Sequence, residues 1–587
     1  MGLGRSACTT VGSLSSGGGQ CRVSDAGCKP RAFLAAPRDG VAYHRGTQQA
    51  QRLIEQMKWA EAEELLKQLV RQYPFDTGTS ARTSNWGRLG QALREQKKHR
   101  EAIQAYEKVI ELQGPGPSYP GLANARYWIA ASHAALGDPE AALKALEMMV
   151  SDDRYLARPG LLSDPVFAGL RERSKYRAIA GVQNVSGLSR IEGWRRDVDH
   201  LVAELRRNNP PSAPIPQEFF RLARELKAAV PRLDDQKIVT GMGKMINVLH
   251  RGHTAIWFGQ PNGPTKMSFK PLPFRFYVFP EGAFITQAFG EHKALAGAQI
   301  LKIGEAPFEE ALRKAASAAS AESSMESLWQ APDHLIRPAL LKGLSLSRFD
   351  DRAELTLKMP SGNTVVKTLR TIDEPQLGRL RGKLAPPPNV QAPLFLRQVE
   401  NEVHWFEAIP DRSAIYVQVN NMAPDEGETL PEFGLRLRTA LEELKPRSMV
   451  LDLRHNNGGN SFSYVELLRT ITGFSTRSGN KVYALIGRNV YSAAGNFTTD
   501  LERLVQPIFV GEPTSQFGNQ WGDESMFVLP YSGITGALAG VRWQLSHPWD
   551  HRRSIVPHVP VQLTARAYFQ GEDPALDAVY QLMAESR

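Results

Sequence analysis

The string SMVLDLRHNNGGN, Ser448 to Asn460, decides the fold class. An apolar run that reads as a buried strand passes directly into Asp-x-Arg and then a glycine pair. Gly458 and Gly459 can take backbone angles closed to other residues, so N–H groups could turn outward at the strand end and hold an anionic oxygen. About 30 residues on, the strand VYALIG runs into RNVYSAAGN, which sets Ser492 between a strand and a helix with small residues behind it. That is how a nucleophilic hydroxyl is exposed at a helix N-terminus, although a serine there otherwise serves as an N-cap. Further buried-strand runs, AIYVQV and PIFVG, alternate with helical stretches such as LPEFGLRLRTALEEL and SYVELLRTIT. The alternation predicts an α/β layered core over 398–587.

Upstream of this core the texture changes twice. Short β-rich segments broken by Gly and Pro, among them FRFYVF, AFITQAF, QILKIG and AELTLKM, predict a small β-rich domain over 264–380, closed by the linker KLAPPPNVQAP. Amphipathic helices split by NNPPSAPIPQ predict a helical bundle over 190–260. Further back, over 46–180, helical hairpins recur: Ala62, Ala102 and Ala142 stand 40 residues apart, each followed four residues later by Leu66, Tyr106 or Leu146. Trp86, Leu89, Gly90, Leu93, Ala102, Tyr106 and Val109 resemble the tetratricopeptide pattern, in which small residues let two antiparallel helices approach and aromatics fill the gaps. The spacing exceeds that family's usual 34 residues, which implies longer inter-repeat loops such as GPGPSYPG. An ordinary helical bundle is the plainer alternative. The Gly/Ser-rich residues 1–45 have the composition of a flexible tail.

Composition narrows the function. The chain has 587 residues and several domains' worth of length, with 42% hydrophobic and 22% charged residues, as expected of a globular protein with real cores. Lys+Arg 71 against Asp+Glu 61 leaves +10, but the basic residues are dispersed, which argues against nucleic-acid binding. All three cysteines, Cys8, Cys21 and Cys28, lie in the tail, leaving no thiol for a nucleophile or zinc site in the folded part. No apolar stretch is long enough to span a bilayer, so stable membrane insertion is not expected, and no secretory signal is visible.

Several strings, in order, resemble the tail-specific or C-terminal processing serine peptidases, a family related to the tricorn core and the interphotoreceptor retinoid-binding repeats. RGHT (Arg251 to Thr254) resembles that family's Asp-Gly-His-Thr, DLRHNNGGN its Asp-Leu-Arg-x-Asn-x-Gly-Gly, and YSAAGN its nucleophile turn. VGEPTSQFGNQWGD with LPYSGI, and WDHRRSIVPHVPV with YFQGEDPAL, resemble the segments that follow. The resemblance runs from about Ile191 to the C-terminus. It implies a ClpP/crotonase-like α/β core, a metal-free and cofactor-free serine peptidase, and an extracytoplasmic address. LAGAQILKIGEAPFEEALRKA resembles the carboxylate-binding half of a PDZ module, with a plain β insert as the alternative.

Carried over residue by residue, the resemblance makes Ser492 the nucleophile. Some members place a Lys about 25 residues after the serine, but the last lysine here is Lys481, so His253 of RGHT becomes the general base. His250 and His455 are its competitors. Asp550, with Asp523 as runner-up, is expected to orient the imidazole. The backbone N–H of Ala493 and of Gly458 or Gly459 would form the oxyanion hole. Arg251 and His558 stand where the family usually has Asp. The expected function is hydrolysis of unfolded or C-terminal peptide segments through an acyl-enzyme, with a protein partner for the helical repeats. The rival readings are a catalytically silent member that binds peptides or apolar ligands, and a repeat-based interaction scaffold.

Overall fold

The computed structural model describes residues 40–73, 84–113, 120–151, 161, 164–181, 183–210, 213–258, 265–377, 384–397, 403–423 and 428–585. The tail read from composition falls outside these up to residue 39, but helix Gly40–Glu55 begins inside the span assigned to it. Most of GPGPSYPG also lies outside the described residues.

The N-terminal part is three helical hairpins: Gly40–Glu55 with Trp59–Gln72, Asn85–Glu95 with His99–Gln113, and Pro120–Ala135 with Pro139–Ser151. Ala62, Ala102 and Ala142 are fully buried, and Leu66, Tyr106 and Leu146 are buried beside them in one continuous core. A small residue one turn before a large one lets neighbouring helices close together and then fills the space left between them.

The 190–260 region forms helices Arg190–Asn208, Gln217–Ala229 and Asp235–Asn247. They do not make a free-standing bundle. Their core is shared with Phe527, Leu529, Ile534 and Leu538 of the antiparallel ribbon Trp521–Val528 and Thr535–Arg542. Asp197 ties the two, accepting from the backbone N–H of Tyr531 at 2.7 Å and of Ser532 at 3.0 Å. The β-rich region is an antiparallel sheet of Phe274–Phe279, Gly282–Ala288, Gln299–Ile303, Arg352–Lys358 and Thr364–Arg370, with Ala306–Pro307 paired to the third strand. Three helices, Phe308–Ala316, Ser324–Leu335 and Pro338–Gly343, are inserted before its fourth strand.

The C-terminal core is a six-stranded sheet in the order Val559–Pro560, Ile508–Gly511, Lys481–Ile486, Ser448–Asp452, Ala414–Val419, His404–Ile409. The first five run parallel and the edge strand antiparallel. Both faces are covered, which is why the strands read as unbroken apolar runs. Ile415, Met449, Leu451, Val482 and Ala484 face helices Leu430–Leu444, Val465–Ser475 and Ala493–Leu504. Ala414, Tyr416, Val450, Tyr483 and Leu485 face helix Pro574–Glu585. Both motif strings therefore leave the carboxyl ends of adjacent strands, where open parallel sheets build their sites. Buried Arg454 locks the first, pairing with Asp452 at 2.6 Å and with Asp573 at 2.7 Å.

In the repeat region, a Cβ on Gly90 would stand 2.8 Å from the fully packed Tyr106 ring. Gly90→Ala should gain about 1 kcal/mol of helix propensity but lose about 1–3 kcal/mol to overpacking. The expected net loss is about 1 kcal/mol in urea unfolding followed by circular dichroism; a more stable variant would refute the packing.

Candidate active site

Ser492 sits at the N-cap of helix Ala493–Leu504 with φ 54° and ψ −126°, a conformation that non-glycine residues rarely hold. Its side chain makes no capping hydrogen bond. The bend that strains the backbone thus withholds the hydroxyl from the role a serine usually plays there. Its own backbone is clamped: its N–H donates to Gln516 Oε1 at 2.8 Å, and its carbonyl accepts from Gln520 Nε2 at 2.7 Å.

His253 reaches the same point from 239 residues upstream, with Nε2 at 3.0 Å from Ser492 Oγ. The RGHT turn follows helix Asp235–Asn247 through His250, which has φ 49°. Thr254 Oγ1 then accepts from Ala539 N–H at 3.1 Å, and Ala255–Ile256 joins the ribbon as a third strand. Strand pairing on one side and the helix end on the other leave the imidazole little freedom. Its ring stacks on Tyr491 at 4.6 Å between centroids. Burial holds its pKa below the ordinary histidine value, against the opposing effects of the Glu524 carboxylate and the Trp521 backbone. Nε2 faces the serine hydroxyl, where an unprotonated ring nitrogen accepts its proton.

The two aspartates expected to orient His253 do not reach it; among the described residues no hydrogen bond joins either to the imidazole. Asp550 accepts from Ser546 Oγ at 2.9 Å and pairs with Arg552 at 2.8 Å, and that guanidinium beside it pulls its pKa down to about 2. Asp523 accepts from Trp543 Nε1 at 2.8 Å, and burial lifts it to about 6. The groups that act on the imidazole instead are the Trp521 backbone and the Gln516 amide, whose Nε2 lies 3.5 Å from Nδ1. Gln516 stands 24 residues after Ser492, the spacing at which a lysine was sought. His455 is buried and stacked on Phe395, away from the hydroxyl.

Gly458 and Gly459 have φ of 104° and 136°, so both need the glycine freedom read from the sequence. They differ in use. Gly458 N–H donates to Asn456 Oδ1 at 3.0 Å. The N–H groups of Gly459 and Ala493 have no hydrogen bond among the described residues. The departures from the family pattern are accommodated: the Arg251 guanidinium lies 4.4 Å over the Trp521 ring and donates to Asn209, and His558 Nδ1 accepts from Phe509 N–H at 3.0 Å. A cavity of about 960 Å³ opens beside His253, walled by Trp257, Phe258, Tyr277, Trp329 and Tyr491 with Glu524 among them.

The tetratricopeptide repeat family matches residues 79–150. No curated protein matches the chain. Among solved structures, it is similar to mature CPAF complexed with lactacystin, at 13% identity over 68% of this chain and 99% of that chain, TM-score 0.48. It is also similar to the photosystem II D1 C-terminal processing protease, at 13% identity over 65% and 98%, TM-score 0.31. A third is the tricorn protease, at 14% identity over 68% and 37%, TM-score 0.33.

A Cβ on Gly458 would stand 2.6 Å from Ser492 Cβ and 2.9 Å from Ala493 N, at a φ that alanine resists. Gly458→Ala should slow fluorophosphonate modification of Ser492 by about 10²-fold or more. Gly473→Ala, where a Cβ meets nothing within 4 Å, should leave it unchanged. Equal rates for both variants would contradict the tight approach at the bend.

Proposed function

We propose that the chain is a serine-type peptidase of the tail-specific or tricorn-core kind, built on a ClpP/crotonase-like core. The observation that carries this reading is the 3.0 Å contact between Ser492 Oγ and His253 Nε2. A hydroxyl withheld from its helix cap, facing an imidazole that burial keeps neutral near pH 7, is a nucleophile beside its base. His253 takes the hydroxyl proton as Ser492 Oγ attacks a peptide carbonyl. The tetrahedral oxyanion is held by the N–H groups of Ala493 and Gly459. Collapse expels the amine, to which His253 Nε2 returns the proton, and water then attacks the acyl-enzyme by the same steps in turn.

The substrate is an extended peptide segment, from an unfolded protein or a chain terminus, since the hydroxyl lies at the edge of a cleft that a folded surface cannot enter. The β-rich region beside that cleft, read as PDZ-like, would capture a peptide end by strand addition. The helical repeats would hold a protein partner. The compartment is extracytoplasmic by resemblance; no helix among the described residues is long and apolar enough to cross a membrane.

Incubation with a fluorophosphonate should modify the wild-type chain at Ser492 and leave Ser492→Ala untouched. His253→Ala should cut the labelling rate, and the hydrolysis of denatured casein, by about 10²-fold or more. A wild-type chain that stays unlabelled is a binding protein with the shape of a peptidase, and a loss under about threefold in His253→Ala moves the base elsewhere.

A further inference from the structure

We infer that Glu322, contributed by the β-rich region and not by the peptidase core, is the positioning carboxylate of this site. The inference rests on the reading of Ser492 and His253 as nucleophile and base. Glu322 lies between helices Phe308–Ala316 and Ser324–Leu335, in a stretch without a motif. Its Oε1 accepts from three donors: Gln516 Nε2 at 2.9 Å, Trp521 N–H at 3.1 Å and Gly252 N–H at 3.3 Å.

Each donor leads to a different part of the reacting pair. Gly252 is the residue before His253 and sets where the imidazole leaves the chain. Trp521 is the residue whose backbone acts on the imidazole. Gln516 has its Nε2 3.5 Å from His253 Nδ1 and uses its other amide atom, Oε1, to hold the N–H of Ser492. One oxygen thus fixes the histidine's backbone, the backbone facing its ring and the amide that spans both reacting residues. In a Ser-His-acid arrangement the acid bonds the imidazole directly; here it grips the groups around it.

The carboxylate is itself held. Glu322 N–H donates to Glu326 Oε2 at 2.8 Å, and its carbonyl accepts from Arg553 Nη1 at 2.8 Å. Burial raises the pKa of Glu322 to about 7, opposed by the N–H groups of Trp521 and Gly252 and by the Arg542 charge. Burial and the neighbouring Glu322 raise the pKa of Glu326 well above its ordinary value. The other titratable groups acting on the pair are Tyr491, beside Glu326, and Arg251, whose guanidinium feels the Glu322 charge. His253 lies across Gln516 and Trp521, with Glu524 beyond it. Proton uptake by Glu322 on the way down from pH 8 weakens all three contacts while His253 is approaching its own protonation.

The test is the rate of Ser492 modification by a fluorophosphonate across pH, with KM and kcat for a peptide substrate alongside. Glu322→Ala should slow modification by about 10²-fold and Glu322→Gln, which keeps an acceptor oxygen, by about tenfold, both through kcat with KM within about twofold. In Glu322→Gln the acid limb should also move down by about half a pH unit or more, because the proton uptake by Glu322 that begins the limb has gone and only that of His253 remains. A rate within about threefold of wild type, or a limb that overlays wild type after scaling, would give Glu322 a packing role only and overturn the inference. Should both variants fail to fold, the wild-type limb decides: loss of two protons makes it steeper than one-proton titration, and a slope of one refutes the inference. A wild-type chain that is never labelled removes the peptidase reading itself, and this one with it.

Discussion

The structure depends on one strained residue. Ser492 adopts a left-handed φ of 54° at the first turn of its helix, at a cost on the order of 1–3 kcal/mol. Relaxed, its hydroxyl would cap the helix like any other serine. The strain is sustained by contacts around it: Gln516 and Gln520 grip its two peptide groups, and Gly458 packs against its Cβ, where no other residue fits. What the bend yields is a hydroxyl whose one hydrogen-bond partner among the described residues is the His253 imidazole.

That partnership joins parts of the chain that do not share a core. The serine belongs to the parallel sheet, while the histidine belongs to the helices and ribbon that share a second core. The carboxylate beneath them comes from helices inserted in the β-rich sheet. None of these cores completes the site alone. The three contacts of Glu322 are where the β-rich region meets the residues around Ser492 and His253.

The backbone bends in both motif strings were legible in the sequence because their signals are local. A glycine pair after an apolar strand needs positive φ, and it has it at Gly458 and Gly459; a serine between a strand and small residues is a bend, and Ser492 is one. The repeats were legible for the same reason, since Ala102 and Tyr106 record a packing distance inside one hairpin. The orienting groups were not. Asp550 is near the expected position in the sequence, but Arg552, two residues on, claims its carboxylate. Trp521 acts through its backbone, which no residue type announces, and Glu322 is 170 residues before the serine (492 − 322) in a loop without a pattern. The choice between Gly458 and Gly459 turned on Asn456, whose side chain takes up the first N–H.

The most direct measurement is a crystal structure of the chain after reaction with an organophosphonate. The account predicts phosphorus bonded to Ser492 Oγ, its oxygen within hydrogen-bond reach of the N–H groups of Ala493 and Gly459, and His253 still facing Oγ through Nε2. An adduct whose oxygen points to solvent, or an imidazole swung away from the hydroxyl, would contradict it.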